Sequence, residues 1–345
     1  MLQQYVKDLV ALPGISSYEK PVADYIINHL KQTQAAVDVN HLGCVTAVFE
    51  GKKNQIGKVL IDAHMDEVGF IVQHIEAGGF LKIVNYGSVD ARVIPAQRME
   101  VHAAKGKRFA GVVGLLPPHV TAGKDVSVIP LDQLVLDCGF KSAQEVEAKG
   151  IRVGSAITFL HQFTEVANNR FASKALDDRV GCALLLSTAD WLTKNTPKRT
   201  VVLSFSVQEE IGAKGVFSVL QKVKPEYALA VECTTACDTY GVPANKTVSK
   251  LGSGPALTVA DNCTVISPDI VDFLIKTAKK GKIKHQLKTP RFGATNAGEF
   301  HMVKDGVKFA VMAVPSRYIH SSVSMCDWSD IKAAEALIKK YISDI

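Results

Sequence analysis

After residue 165, apolar runs of strand length alternate with helical patterns, and nothing else in the 345-residue chain constrains its fold as much. Segments 200–207, 227–231 and 308–314 read as strands, and 180–192, 270–280 and 328–342 read as helices. The strands are apolar on nearly every residue rather than on alternate ones, so both of their faces must be covered. The pattern predicts an α/β fold with a mostly parallel central sheet and helices on both faces. Segments 45–49 and 58–63 add two strands near the N-terminus, the second ending on His64. Before them, Ser16-Ser17-Tyr18-Glu19 has the form of a capping box, with Glu19 placed to reach back to the Ser16 backbone. Val22, Tyr25, Ile26 and Leu30 then follow at helical spacing.

Between residues 70 and 164 the texture changes. Short β-rich runs at 80–85, 98–102 and 109–114 are separated by Gly-Gly, Lys-Gly-Lys and Pro-Pro turn signals. One helix interrupts them, opened by Ser142-Ala143-Gln144-Glu145 and closed by Gly150. This predicts a small β-rich domain, 70–164, inserted into a discontinuous catalytic domain made of 1–69 and 165–345. The strands of the insert are short for a self-sufficient core, which points to subunit contacts there.

Charge and composition narrow the function. Lys and Arg exceed Asp and Glu by only 6. The densest basic stretch, Lys279-Lys280-Gly281-Lys282-Ile283-Lys284, has no interleaved aromatics for base stacking, so a solvated helix end is expected there and no nucleic-acid partner. No apolar run approaches the ~18 residues of a membrane span. Met1-Leu2-Gln3-Gln4-Tyr5 shows no basic or apolar region of a signal peptide. The 7 cysteines form an odd set without disulfide-framework spacing and read as reduced thiols in a cytoplasmic protein. Cys233 and Cys237 make a lone C-x3-C without the second pair that a structural zinc site needs. No role is assigned to His119.

The chemistry lies at the ends of the strands. His64, the Glu209-Glu210 pair and Glu232 each fall just beyond an apolar run, and His320 comes after another, across Pro-Ser-Arg-Tyr-Ile. Asp177 opens a helical pattern. In open α/β sheets the ligand crevice lies outside those strand ends, so separate segments would deliver imidazoles and carboxylates to one rim. Each piece alone has an ordinary reading. His64-Met65-Asp66 can be a strand-end turn, or a metal-ligating His64 whose ring is oriented by Asp66. Asp177-Asp178-Arg179 can be a helix cap with an ion pair. Glu209 and Glu210 can open a helix, yet two neighbouring carboxylates behind a central strand repel unless a cation or shared proton neutralises them. Together these residues point to a metal site.

Four blocks carry a family resemblance. Ala63-His64-Met65-Asp66-Glu67-Val68-Gly69, Ser173-Lys174-Ala175-Leu176-Asp177-Asp178-Arg179, Val207-Gln208-Glu209-Glu210-Ile211-Gly212 and Arg317-Tyr318-Ile319-His320-Ser321 resemble the signature blocks of the tetrahedral aminopeptidases. That family includes glutamyl and deblocking aminopeptidases and members labelled endoglucanases. The resemblance implies hydrolysis of the N-terminal bond of unblocked peptides with two divalent metal ions, zinc or cobalt first and manganese as a further candidate. It implies that Asp177 bridges the ions, that His64 and Glu232 complete one set and Glu210 and His320 the other. Glu209 would be the general base and Asp66 its neighbour behind His64. It further implies a cis peptide at Asp177-Asp178 and a homo-oligomer, a dodecamer, assembled through the insert.

Two positions depart from the family pattern. Glu232 stands where the family usually has Asp, and Ala294-Thr295-Asn296-Ala297 replaces Gly-Thr-Asp-Ala. The position of Asn296 is not expected to hold metal, so this change touches the surrounding charge. The insert falls between His64 and Asp177, whereas related dimetal carboxypeptidases and deacylases place their extra domain before the last histidine. Three other readings stay open: N-acyl amide hydrolysis on the same metal centre, a glycosidase using a carboxylate pair without metal, and a non-catalytic assembly protein. The last would need a broken ligand set, and no ligand position here holds an incapable residue.

Overall fold

A computed structural model of the chain describes all residues except 53–56, 122–127, 289–291 and 304–305. Helices α1 (Leu2–Ala11) and α2 (Lys20–Leu30) precede strands β1 (Ala36–Val39), β2 (Val45–Phe49) and β3 (Lys58–His64). Next come β4 (Gly69–Ile75), β5 (Leu81–Tyr86), β6 (Arg98–His102), β7 (Arg108–Val113), α3 (Pro118–Thr121), β8 (Val135–Asp137), α4 (Ala143–Ala148) and β9 (Ala156–Phe159). The chain continues through β10 (Thr164–Val166), β11 (Arg170–Ser173), α5 (Leu176–Lys194), β12 (Thr200–Ser206), α6 (Lys214–Val223) and β13 (Tyr227–Thr235). It ends with β14 (Ala256–Thr258), α7 (Pro268–Lys280), β15 (Gln286–Lys288), β16 (Lys308–Ser316), β17 (Ser324–Asp327) and α8 (Trp328–Asp344).

The large sheet runs β1-β2-β12-β3-β13-β16-β14-β15. Its centre, β12-β3-β13-β16, is parallel throughout. The flanks are not: β2 runs antiparallel to β12 and pairs with β1 as a hairpin, and β14 runs antiparallel to β16. At the far edge β15 pairs parallel with β14, so four of the seven pairings are parallel and the antiparallel ones lie outside the central strands. The short link between β1 and β2 allows only antiparallel pairing, because a parallel return needs a long crossover. Every residue of β12 is buried, as are 59–64 of β3, which explains their unbroken apolar texture.

Two groups of helices cover the sheet. Helix α5 is buried on consecutive residues from Asp178 to Ala189, since it lies between the sheet and its neighbours α1, α2 and α8. Helix α7 packs beside α8 on β16. Helix α6 and the 3-10 turn Asn296–Met302 pack on each other and on the central strands. A small antiparallel sheet, β10-β11-β17, completes this part.

Strands β4-β5-β8-β7-β6-β9 close into an antiparallel barrel. Alternate residues fill it, Phe70 and Val72, Leu81 and Ile83, Met99 and Val101, forming a core separate from that of the large sheet. Phe70 and Phe159 meet edge to face inside, with ring centroids 5.6 Å apart. The chain enters the barrel at Gly69, where a Cβ would come within 2.3 Å of Ile15 Cγ2, so only glycine permits that approach.

Two local expectations need correction. The capping box at residue 16 does not form: α2 starts at Lys20, with Pro21 in its first turn. The Glu19 carboxylate accepts instead from the Ser17 and Gln208 amides, at 2.9 and 3.1 Å, tying this turn to the segment before Glu209. Strand β13 runs on to Thr235, paired with Ser316 of β16, so Glu232 lies inside a strand rather than beyond it. By contrast Ser142 caps α4, its Oγ accepting from the Glu145 amide at 3.2 Å.

Candidate active site

Strand β3 carries His64 to the edge of the sheet as its last residue, fully enclosed. Its Nε2 lies 3.3 Å from Asp177 Oδ1, 3.5 Å from Glu232 Oε2 and 3.9 Å from Glu209 Oε2. On the opposite side of Asp177, His320 Nε2 lies 3.3 Å from Oδ2 and 3.4 Å from Glu210 Oε1. Asp177 thus offers one oxygen to each histidine. Both rings are oriented the same way. Nδ1 of His64 is 3.1 Å from the Asp66 carbonyl oxygen, and Nδ1 of His320 is 2.8 Å from that of Ser88. A backbone carbonyl can only accept, so Nδ1–H donates in each case and Nε2 is the nitrogen turned to the site.

The start of α5 explains how Asp177 is aimed. Asp177 and Asp178 have non-helical backbone angles, and the peptide joining them is cis. Asp178 Oδ1 accepts from the Gly181 amide at 3.0 Å and so does the capping. Asp177 is left free to point outward.

Asp66 reaches further than the sequence suggests. Besides sitting 3.5 Å from His64 Nδ1, its Oδ1 accepts from the Glu209 amide at 3.0 Å and its Oδ2 from the Glu210 amide at 3.1 Å. Ser16 Oγ donates to the same Oδ2 at 2.7 Å. Burial pushes this carboxyl's pKa up, but His64 and the donated hydrogen bonds outweigh burial and hold it below the usual range. One ionised aspartate therefore fixes the turn bearing both glutamates to the turn bearing His64.

A second anchor lies behind this turn, and the sequence alone does not reveal it. Lys174 Nζ donates to both oxygens of Glu67 at 2.8 Å. Arg179 donates to the carbonyls of Met65, Leu9, Leu12 and Gly14, and its Nη2 is 3.5 Å from Glu67 Oε1. Lys174 and Arg179 flank Asp177 in sequence, so this buried group locks the Asp177 segment to the β3 end. Ser88 is equally hidden from sequence reasoning, because a backbone carbonyl has no side-chain signature.

Charge accumulates at the site. Burial pushes Glu210 and Glu232 well above their usual pKa range and raises Glu209 to about 7. Burial works against protonation of both histidines, but facing carboxylates overcome it, lifting His64 well up and His320 to about 9. Desolvation likewise opposes ionisation of Asp177, yet both histidines hold its pKa well below normal. Asp177 Oδ1 and Glu210 Oε1 are buried without a hydrogen-bond partner among the described residues. Such an array calls for added positive charge. The ligand atoms of His64, Asp177 and Glu232 lie within 4.8 Å of one another, as do those of Asp177, Glu210 and His320. Mixed nitrogen and oxygen donors at that spacing suit divalent transition ions.

Asn296 sits behind Glu232, fully buried. Its Nδ2 donates to Asp62 Oδ2 and Ser206 Oγ, both at 2.8 Å, and its amide is 3.4 Å from Glu232 Oε1. Burial raises Asp62 to about 6. Cys233 Sγ lies within 4.8 Å of oxygens of Asp177 and Asp178 while donating to the Leu176 carbonyl, and Cys237 joins no candidate ligand group among the described residues. His119 lies exposed on α3. A cavity of about 450 Å³ opens over the two histidines and four carboxylates.

Comparison with known proteins identifies the family. A family model described as M42 glutamyl aminopeptidase matches residues 43–337. A lysyl aminopeptidase of Pyrococcus furiosus is 34% identical over 98% of this chain and 96% of its own. The solved aminopeptidase APDkam598 of the archaeon Desulfurococcus kamchatkensis superposes with a TM-score of 0.95 at 36% identity, covering 100% of this chain and 96% of that one. The TET1 peptidase of Pyrococcus horikoshii, described as assembling into a tetrahedron or a large octahedral shell, superposes with a TM-score of 0.90 at 28% identity over 100% of both chains. With its fold and nearly its whole length shared, the chain belongs to the M42 family of aminopeptidases and is a peptide hydrolase.

Proposed function

We propose that this chain is a metal-dependent aminopeptidase that removes the N-terminal residue of unblocked peptides. The observation that carries this reading is the pair of triads sharing Asp177, His64-Asp177-Glu232 and Asp177-Glu210-His320, with Glu209 beside them. Two divalent ions, zinc or cobalt in preference to manganese, would be held by those triads and would polarise the scissile carbonyl and acidify a water. Glu209 takes the proton of the attacking water and delivers it to the nitrogen of the leaving amine. Its pKa, raised to about 7 by burial, suits a group that must both accept and release a proton near neutrality. Asp66 acts through others, keeping the Glu209 and Glu210 amides and the His64 ring in place.

Residues 1–69 and 165–345 form the catalytic unit in this reading, and 70–164 carry the contacts of a homo-oligomer, a dodecamer. The exposed Val112, Leu115, Leu116 and Val120 give that segment apolar side chains to bury. The tetrahedral assembly named for the Pyrococcus horikoshii relative supports it. The cysteines, all unpaired, fit a reducing cytoplasm.

The test uses matched peptides with free and acetylated N-termini, read beside metal content. The expected result is stepwise release of single residues from free N-termini only. Glu209→Gln should retain metal and lose about 10²–10⁴-fold in kcat, whereas Glu210→Ala should lose metal and activity together. Cleavage confined to the acetylated peptides would make the chain an N-acyl amide hydrolase instead, and metal loss from Glu209→Gln would swap the two glutamates.

A further inference from the structure

We infer that Gly87 and Ser88, on the rim of the barrel, position the Asp177-Glu210-His320 half of the metal centre and leave the His64 half to the large sheet; this rests on the metal-dependent reading above. The two halves share Asp177 but are aimed from different places. His64 is enclosed, and its Nδ1 meets the Asp66 carbonyl two residues further along the same turn. Glu232 stands within β13, its Oε1 3.4 Å from the Asn296 amide. Strands of the large sheet and their own connections hold both.

His320 depends on the barrel. Its side chain is more open than that of His64, and its backbone takes a left-handed φ of 58°, two residues after Tyr318 at 56°. Non-glycine residues keep such a backbone only where their surroundings hold it. The ring is directed by the Ser88 carbonyl at 2.8 Å, from 232 residues away in the chain. Gly87, one residue earlier, packs on the companion ligand. Its φ is 79°, and a Cβ there would stand 2.7 Å from Val68 Cγ1, 3.2 Å from Glu210 Oε2 and 3.3 Å from Glu210 Cβ. Two successive residues therefore meet both ligands of one half, Gly87 through its missing side chain and Ser88 through its carbonyl. The loop is tied down on either side. Tyr86 pairs with Gly69 at the end of the β4–β5 ladder, and Asn85 Nδ2 donates to the Gly87 carbonyl at 2.6 Å. Beyond Ser88, Asp90 Oδ1 accepts from the Arg92 amide at 2.9 Å. Groups that orient metal ligands in this way set affinity about 10–100-fold.

The experiment titrates metal-stripped wild type, Gly87→Ala, Asn85→Ala and Gly139→Ala with Co²⁺ by calorimetry, and locates the ions by anomalous diffraction at limiting metal. Gly139 lies in the barrel segment between β8 and α4, with φ 77° and open space where a Cβ would stand, so it reports left-handed strain without contact. Gly87→Ala should lose about 10–100-fold in affinity for the ion at Asp177, Glu210 and His320 and keep the ion at His64. Asn85→Ala, at an exposed position, should shift the same ion in the same direction and less, and it decides the matter if Gly87→Ala does not fold. Gly139→Ala should bind both ions as wild type does. Equal loss of both ions, earlier loss of the His64 ion, or the same selective loss in Gly139→Ala overturns the inference. So does wild-type binding in both Gly87→Ala and Asn85→Ala. Failure of the underlying reading looks different: the wild type itself would bind no divalent ion, and both conclusions would fall.

Discussion

Replacing Glu67 by Gln probes the anchor behind the site. The carboxylate is enclosed, receives Lys174 Nζ on both oxygens at 2.8 Å and the Gly14 amide at 3.1 Å, and faces Arg179 at 3.5 Å. Glutamine keeps the shape but removes the charge, leaving two buried cations with no other carboxylate in ion-pair range among the described residues. Removing one partner of a buried pair costs about 3–5 kcal/mol. The amide oxygen still accepts one hydrogen bond, so the lower end, about 3 kcal/mol, is expected. Glu67→Met with Lys174→Met removes the charges together and should cost less, because the Arg179 guanidinium still has four carbonyl partners. Burial already lowers the Lys174 pKa from 10.5 despite the pull of Glu67. Losing Glu67 lowers it further, so the unfolded chain binds the extra proton. The deficit of Glu67→Gln should then shrink as pH rises toward 10.5. Urea unfolding followed by fluorescence of Trp191 and Trp328, at one protein concentration and at two pH values, measures this. A Glu67→Gln deficit under about 1 kcal/mol, or a double variant worse than the single one, would refute the reasoning.

Three more outcomes are expected from named contacts. Asp66→Asn can accept at one oxygen only, so it should cut kcat and metal affinity by about 10–100-fold; unchanged kinetics and metal content would remove Asp66 from its positioning role. Asn296→Asp places a second carboxylate 2.8 Å from Asp62, whose pKa burial already raises to about 6. The folded state then holds a proton more tightly, so that variant should lose stability relative to wild type as pH rises from 5 to 8, and pH-independent melting differences would contradict it. Burial, with Arg108 adding to it, holds His102 down at about 4 against 6.5 when free, so its neutral form stabilises the fold at higher pH. That contribution, up to about 3 kcal/mol, should fade between pH 6.5 and 4, and His102→Gln should flatten this slope; parallel stability curves would rule it out.

Much of the site was legible because strands deliver their ends to one rim. His64, Glu209, Glu210 and His320 stand out as the polar residues just past apolar runs. Glu232 stands out in the same way although β13 continues past it, since strand length depends on the partner β16 and not on local sequence. The parallel centre of the sheet could be read from unbroken apolar strands, whereas its antiparallel flanks depend on which edge the short β1 and β2 join. Closure of the barrel required pairing β9 with β4 across the whole segment, a long-range choice that no local pattern encodes. Glu67, Lys174 and Arg179 lay inside the recognised blocks, but only folding shows that they meet. Asn296 was visible as a departure, and its hydrogen bonds to Asp62 and Ser206 explain why an amide suits the position.

The most direct measurement is the number and location of metal ions, by elemental analysis and anomalous diffraction from metal-loaded protein. The expected result is two ions per chain, one against His64, Asp177 and Glu232 and one against Asp177, Glu210 and His320, with Asp177→Ala losing both. A single ion held by His64, Glu209 and Glu210, or two ions retained in Asp177→Ala, would contradict the shared-aspartate centre on which the proposed chemistry depends.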